Sequence, residues 1–447
     1  MKSLMIAGIS SSSGKTTITL GLLRVLKNKG FSVQPYKCGP DYIDPEFHTE
    51  AANQKSRNLD SWIMGEDAIK ESFAKSADAD FAVIEGVMGL FDGASSNSIE
   101  GSSAHIAKLT STSIILTLNA RGIARTVAPI VRGFIGFEKD VNIIGIIANN
   151  VGSAKHADIL REALEAANLP PLLGCLPRDE NLKLPERHLG LVPEFENRKN
   201  DKWYDFLAEN IEKYFDIDLI LKTVQEQKNI SKPTIIKKIS KRKIGIALDD
   251  AFHFYYEDNL DILKENGFEI INFSPLNDEK LPNVDCLYIG GGYPEMFAEK
   301  LSNNKSMLNS IAEFANENKP IYAECGGLIY LSQSIKDLKD NEYKMCGFLP
   351  FKTKMENRLH RLGYVEVKLS NDCFFGKKGT IYRGHEFHWS SIVENNISYN
   401  PACEGRRLRG NKDWQSMGIQ VNNVYATYIH AHFASNKQMI NSLRSKV

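Results

Sequence analysis

The N-terminus constrains the fold more than any other part of the chain. A short apolar run, Met5–Ile9, leads into Ser10-Ser11-Ser12-Ser13-Gly14-Lys15-Thr16-Thr17, and an amphipathic stretch follows at once. A loop of this composition wraps phosphate in backbone N–H groups. Its lysine reaches the β- and γ-phosphates and its hydroxyl meets Mg²⁺. Gly8 and Gly14 bound the loop, Ser12 and Ser13 lie within it, and Lys15, Thr16 and Thr17 open a helix at its positive end. These seven residues are the expected contacts to a nucleotide's phosphates, with Thr16 also facing the metal. Such a loop needs a buried strand before it and a helix after it, which predicts an α/β fold.

The following pattern agrees. Ile18, Leu22, Leu23, Val25 and Leu26 put an apolar side on a helix over Thr16–Lys29, which Gly30 closes. Ser32–Tyr36, Phe81–Ile84, Ser113–Leu118 and Ile143–Ala148 read as near-continuous apolar strands. Strands of that kind, separated by helices, predict a parallel sheet covered on both faces. A second α/β domain begins with strands at Ile244–Leu248, Glu269–Phe273 and Cys286–Ile289. Between the two, residues 222–243 are rich in Lys, Gln, Ser and Ile and read as a linker. The expected domains are 1–221 and 244–447, in keeping with roughly 100–200 residues per domain.

Composition excludes several classes. Lys plus Arg and Asp plus Glu each total 55, so the formal net charge is zero and a large basic surface for nucleic acid is not expected. No apolar run approaches the roughly 18–20 residues that span a bilayer, so no membrane partner is expected. Met1–Ala7 briefly imitates a secretion signal but runs straight into the serine loop. The seven cysteines are scattered, without a CxxC pair, which suggests neither a disulfide framework nor zinc and points to the cytoplasm.

Two acidic loops follow successive strands, where ligands bind in such sheets. One is Lys37-Cys38-Gly39-Pro40-Asp41-Tyr42-Ile43-Asp44-Pro45 and the other runs from Glu85 to Gly93 through Asp92. A turn or a helix cap explains any one of these acids. Together, Asp41, Asp44, Glu85 and Asp92 can converge on phosphate, although Mg²⁺ takes only one or two carboxylates. At a third strand end, Asn149 offers either an amide for an adenine edge or an ordinary turn residue.

In the second domain, Ile321-Tyr322-Ala323-Glu324 feeds Cys325-Gly326-Gly327. Small neighbours at a sharp strand-to-helix bend let a nucleophile project, and a helix N-terminus favours its thiolate. Gly290-Gly291-Gly292 can offer N–H groups to an oxyanion. His430 and His432 follow a late strand, at the distance in sequence that a Cys–His pair tolerates. The segment Tyr382–Trp389, with His385 and His388, offers either a zinc ligand pair or a substrate-facing strand, and the second is preferred.

In combination these motifs resemble the cobyrinate a,c-diamide synthase family across essentially the whole chain. The carrying pieces are Gly39–Pro45, Gly384–His388 and Tyr428–Phe433, with a phosphate loop that has five residues between its glycines rather than four. That loop resembles the variant of the dethiobiotin-synthetase-like amide-forming enzymes. The resemblance implies a dethiobiotin-synthetase-like P-loop domain followed by a flavodoxin-like class I glutaminase domain. It implies amidation of the a and c carboxylates of a corrinoid tetrapyrrole, using ATP, Mg²⁺ and glutamine.

By the same resemblance Cys325 attacks glutamine with His430 as base, and Gly291 and Gly292 form the oxyanion hole. Thr16, Asp44 and Glu85 hold the metal. Lys37, Asp41, Asp92, Arg121 and Arg125 face the reacting carboxylate, with Arg57 a further candidate cation. Many class I glutaminases place a Glu two residues past the histidine, where this chain has His432. A homodimer is the candidate oligomer. Amidation of nickel sirohydrochlorin is the nearest rival. A deviant-Walker regulatory ATPase is the rival of another class, but the lysine it needs five residues before Lys15 is here Ser10.

Overall fold

The computed structural model describes residues 1–182, 184, 201–227, 242–393, 399–410 and 412–447. They fall into two compact units, the first containing 1–182, 184 and 201–227, the second 242–393, 399–410 and 412–447. The middle of the expected linker, 228–241, lies outside the described residues. Its first residues, 222 and 223, close the helix Ile217–Thr223, and Lys243 already belongs to the strand Arg242–Ala247.

The first unit is a seven-stranded sheet in which every pairing is parallel. From edge to edge the strands are Arg57–Leu59, Val33–Cys38, Phe81–Glu85, Lys2–Gly8, Ser113–Asn119, Ile143–Val151 and Leu172–Pro177. The inner strands are buried along almost their whole length, as the sequence predicts for a sheet covered twice. The two edge strands, Arg57–Leu59 and Leu172–Pro177, carry too short or too broken an apolar pattern to stand out in the sequence.

Helix Lys15–Asn28 packs on the central strands. It ends in a Schellman turn: Phe31 N–H donates to Leu26 O (3.1 Å), Gly30 N–H to Lys27 O (2.9 Å), and Gly30 takes φ +86°. Its opposite side meets helix Asp201–Tyr214, and here Gly21 is required by space. An added Cβ would overlap buried Ile211. Ala is ordinarily about 1 kcal/mol better than Gly inside a helix, but overpacking a dense core costs about 1–3 kcal/mol. Gly21→Ala is therefore expected to lower the denaturation midpoint; an unchanged or raised midpoint would show that the two helices can separate freely.

The second unit holds a six-stranded sheet in the order Ile419–Val421, Val424–Thr427, Ile321–Glu324, Cys286–Ile289, Arg242–Ala247, Phe268–Phe273. Its last five strands are parallel and follow the 2-1-3-4-5 order of flavodoxin-like sheets. Beside it lies an antiparallel sheet in which Ile381–His388 runs between Arg361–Leu369 and Ile429–Ala431. The sequence reading places a strand at Tyr382–Trp389, close to the observed Ile381–His388, but does not anticipate the sheet that it joins. Residues 361–393 alternate polar and apolar side chains without the long apolar runs that announce parallel strands. Among the described residues no helix is long and apolar enough to cross a membrane.

Candidate active sites

In the first unit the functional side chains gather at the carboxyl ends of three adjacent strands. Lys37 and Glu85 are register partners on neighbouring parallel strands, and Ile6, just before the phosphate loop, pairs with Glu85 on its other side. Register therefore sets them side by side. Lys37 Nζ lies 2.6 Å from Asp44 Oδ2 and 2.8 Å from Glu85 Oε1. Thr16 Oγ1 donates to that same Glu85 oxygen at 2.7 Å. All of these charged groups are buried. Burial works against the Lys37 charge, but Asp44 and Glu85 outweigh it and hold its pKa above the usual lysine value. Burial likewise opposes the Glu85 carboxylate, and Lys37 with the His48 bond brings its pKa below the usual range.

His48 is the residue the sequence reading misses. Its Nε2 sits 2.6 Å from Glu85 Oε2, and its Nδ1 3.4 Å from Ser56 Oγ. The available signal is spacing, since Asp44 and His48 are four apart on helix Ile43–Ala52 and so share one face.

Lys15 folds back over its own loop, donating to Met88 O (2.7 Å) and Ser10 O (3.1 Å). Burial, then the Lys37 charge, lowers its pKa from the ordinary lysine value. Gly14 takes φ +94°, and a Cβ there would strike the Asn149 amide. That amide donates to Ser13 O (3.3 Å), so Asn149 buttresses the loop from the strand Ile143–Val151, two places along the sheet. Ser13 Oγ meets Thr117 Oγ1 at 3.1 Å, and Gly8 leaves room for Ser13.

Asp41 accepts from Ile43 N–H (2.9 Å) and Asp92 from Gly89 N–H (2.8 Å), so each closes its own turn. Arg121 and Arg125 are exposed beyond the strand Ser113–Asn119, outside the buried cluster, and Arg57 opens the edge strand.

Adjacent oxygens of an octahedral Mg²⁺ with bonds of about 2.0–2.1 Å lie roughly 2.9 Å apart. Thr16 Oγ1 and Glu85 Oε1, 2.7 Å apart, fit two such positions. Phosphate oxygens and water would fill the rest, as this ion prefers.

In the second unit, Cys325 stands between the strand Ile321–Glu324 and the short helix Gly326–Leu331 with φ +46° and ψ −96°. That backbone costs a non-glycine residue about 1–3 kcal/mol, and its surroundings enforce it. Cys325 N–H donates to Thr427 O (2.8 Å) and Gly327 N–H to Gly290 O (3.0 Å). A Cβ on Gly327 would run into Ile289 O, so the bend tolerates no larger residue there. Gly292, at φ +153°, and Gly291 pass directly beside it, and Gly291 packs against the His430 ring.

A narrow pocket opens on the thiol, lined by Gly292, Tyr293, Glu295, Phe387, His388 and Ser390. Burial pushes the Cys325 thiol well up, with Glu295 and Glu324 adding to it, so a base must take its proton. His430 is buried, and burial followed by His385 drives its pKa well below the usual value, leaving it neutral. His385 stacks on it at 5.2 Å between ring centroids.

His388 lies flat on Tyr428, 3.8 Å between centroids, and its Nδ1 donates to Ser390 O (2.7 Å). The strand thus presents His388 to the thiol pocket. Among the described residues no cluster of three or more His, Cys, Asp or Glu side chains is arranged to hold a metal.

Comparison with known proteins returns both halves. Residues 4–192 match the CobQ/CobB/MinD/ParA nucleotide binding domain model, and residues 243–438 the CobB/CobQ-like glutamine amidotransferase domain model. A protein of Leptospira interrogans described as cobyrinate a,c-diamide synthase is 42% identical over 439 residues, covering 98% of this chain and 96% of its own. One of the same description from Caldanaerobacter subterraneus is 43% identical over 437 residues, covering 97% and 96%. Another from Limosilactobacillus reuteri is 40% identical over 456 residues and covers both chains completely.

Proposed function

This chain belongs to the cobyrinate a,c-diamide synthase family, and from that premise we propose how its two sites divide the work. It is an amidating ligase of cobalamin biosynthesis that draws on ATP and glutamine. One observation supports this above others: a phosphate loop backed by buried acids and an elbow cysteine occur together in one chain, alongside full-length likeness to named synthases. The nickel sirohydrochlorin and regulatory ATPase readings are not favoured.

The chemistry follows from the geometry. A carboxylate is a poor acyl donor, so its oxygen first attacks the γ-phosphorus of ATP, forming an acyl phosphate and releasing ADP. Lys15, drawn off Met88 O and Ser10 O, offsets charge on the transferring group. Mg²⁺, when bound through Thr16 and Glu85, would further neutralise the phosphates. Lys37, with Asp44 and His48, holds Glu85 in place for that role. Asp41 and Asp92 fix the two loops that face the carboxylate. Exposed Arg121 and Arg125 meet further carboxylates of the ring, which a chain of zero net charge must supply locally.

In the second unit the Cys325 thiol passes its proton to His430 and attacks the glutamine side-chain amide. The oxyanion is held by N–H groups of the Gly291-Gly292 turn. The tetrahedral adduct expels ammonia, and water hydrolyses the thioester to glutamate. Ammonia displaces phosphate from the acyl phosphate to give the amide, and the sequence repeats on the second carboxylate. Seven free cysteines and an ATP requirement suit a cytoplasmic enzyme.

The test is a mass-spectrometric assay with ATP, Mg²⁺ and glutamine, offering cobyrinate and nickel sirohydrochlorin in parallel. Two successive amidations of cobyrinate are expected. Preference for the nickel ring, or ATP consumption without amidation of either, would overturn the substrate assignment.

A further inference from the structure

The usual acid partner of the glutaminase histidine is missing from its usual place, and the fold shows why. His432 is buried and its Nδ1 accepts from Ala434 N–H (3.3 Å), capping the 3₁₀ turn Phe433–Asn436. Its ring lies against Tyr256, 4.9 Å between centroids. It is a structural residue turned to its own chain.

A carboxylate reaches His430 from another direction. Glu324, the residue before the nucleophile, is fully buried at the end of the strand Ile321–Glu324. Its Oε2 lies 3.9 Å from His430 Nδ1. Its Oε1 accepts from the backbone N–H of Ala431, the residue after that histidine, at 2.9 Å. Tyr322 OH donates to Oε1 at 2.5 Å and Tyr288 OH to Oε2 at 2.8 Å. A buried carboxylate with three donors is costly to assemble for packing alone. Here one oxygen pins the strand Ile429–Ala431 while the other faces the imidazole.

We propose that Glu324 is the positioning residue of the glutaminase: from the nucleophile's own strand it orients His430 and stabilises the imidazolium formed when Cys325 loses its proton. This rests on the reading of Cys325 and His430 given above. In triads the acid partner orients the histidine and stabilises its cation without itself being protonated, and a neutral amide in its place costs about 10⁴-fold. At 3.9 Å the contact is looser than a hydrogen bond, so a smaller loss, about 10²–10³-fold, is expected here.

The pH response has a defined sign. Burial raises the Glu324 pKa to about 7, against the pull of its tyrosine and backbone donors. The titratable groups facing it are Tyr255, Tyr288, Tyr322, Tyr382, His430 and Cys325. The tyrosines stay protonated, since burial raises them all. The active form is the carboxylate, so glutamine use should fall as pH drops through about 7, while ammonia-dependent amidation, expressed per free NH₃ at each pH, should not share that limb.

The experiment compares the full chain with Glu324→Gln, Glu324→Asp and Cys325→Ser, using cobyrinate with either glutamine or ammonium chloride across pH. Glu324→Gln is expected to lower glutamine-dependent kcat about 10²–10³-fold with KM for glutamine little changed. It should remove the acid limb and leave the ammonia rate intact, and Glu324→Asp should recover part of the loss. A glutamine rate within about threefold of the parent, or equal losses with ammonia, would overturn the proposal. Should Glu324→Gln not fold, Tyr288→Phe serves: losing a donor to the carboxylate should move the acid limb to higher pH, and an unmoved limb counts against Glu324. If Cys325→Ser still uses glutamine, the underlying glutaminase reading fails instead, a result distinct from failure of Glu324 alone.

Discussion

Replacing Cys325 with serine is expected to lower glutamine-dependent amidation by about 10⁴-fold or more, while amidation from free ammonium stays within about twofold of the parent. The asymmetry follows from where the thiol stands. Cys325 belongs to a strained bend whose neighbours, Gly291, Gly292 and Gly327, lie against it, so the Ser variant keeps the shape and loses the nucleophile. Burial already pushes the thiol pKa up and drives that of His430 down, so the base proposed for the thiol proton starts neutral. A hydroxyl is a far weaker acid, and a buried imidazole cannot activate it to the same degree. Ammonia supplied from solution bypasses the second unit, leaving the acyl phosphate chemistry of the first untouched. Isotopically labelled glutamine, followed by mass spectrometry of the ring, reads the nitrogen source directly. Label appearing in the product of the Ser variant at the parent rate would remove Cys325 from the mechanism.

Much of this architecture is legible in the sequence because buried parallel strands are long apolar runs and their loops carry glycine. The phosphate loop, the elbow at Cys325 and the helix stop at Gly30 all announce themselves through residues with special backbone requirements. What stays hidden is polar and non-local. His48 reaches Glu85 only because helix Ile43–Ala52 folds back over the strand ends, and no local rule connects residues 37 apart. Glu324 reads as the end of an apolar strand until Ile429–Ala431 is paired against Ile381–His388 and brings His430 beside it. The antiparallel sheet that carries His385 and His388 alternates too weakly, and its strands pair across too many residues, for sequence patterning to reveal it. Conversely, Asp41 and Asp92, which look like ligands in the sequence, spend a carboxylate oxygen on closing their own turns.

Lys37 pairs directly with Asp44 and Glu85, and Lys15 feels the same two acids through space, yet their removal should have opposite consequences. Lys15 bonds only backbone carbonyls, Met88 O and Ser10 O, among its described hydrogen-bond partners. Deleting it unpairs no carboxylate, so Lys15→Ala should fold with a melting temperature close to the parent. What it loses is the cation proposed to follow the γ-phosphoryl group, and a cation placed on that group, as an arginine finger is, contributes about 10³–10⁵-fold. ATP-dependent amidation should fall by that order with either nitrogen source, while hydrolysis of glutamine continues in the second unit. Lys37 is different in kind. It is the cation shared by two buried carboxylates, and removing one partner of such a group costs about 3–5 kcal/mol. Lys37→Met should therefore lower the melting temperature markedly and lose activity through the fold. Calorimetry beside the amidation assay separates the two: a destabilised Lys15→Ala, or a Lys37→Met that melts like the parent, would reverse the roles assigned to the two lysines. The difference lies in what each ammonium touches in the protein. One is held by carbonyls that can release it to a phosphate, the other by charges that cannot do without it.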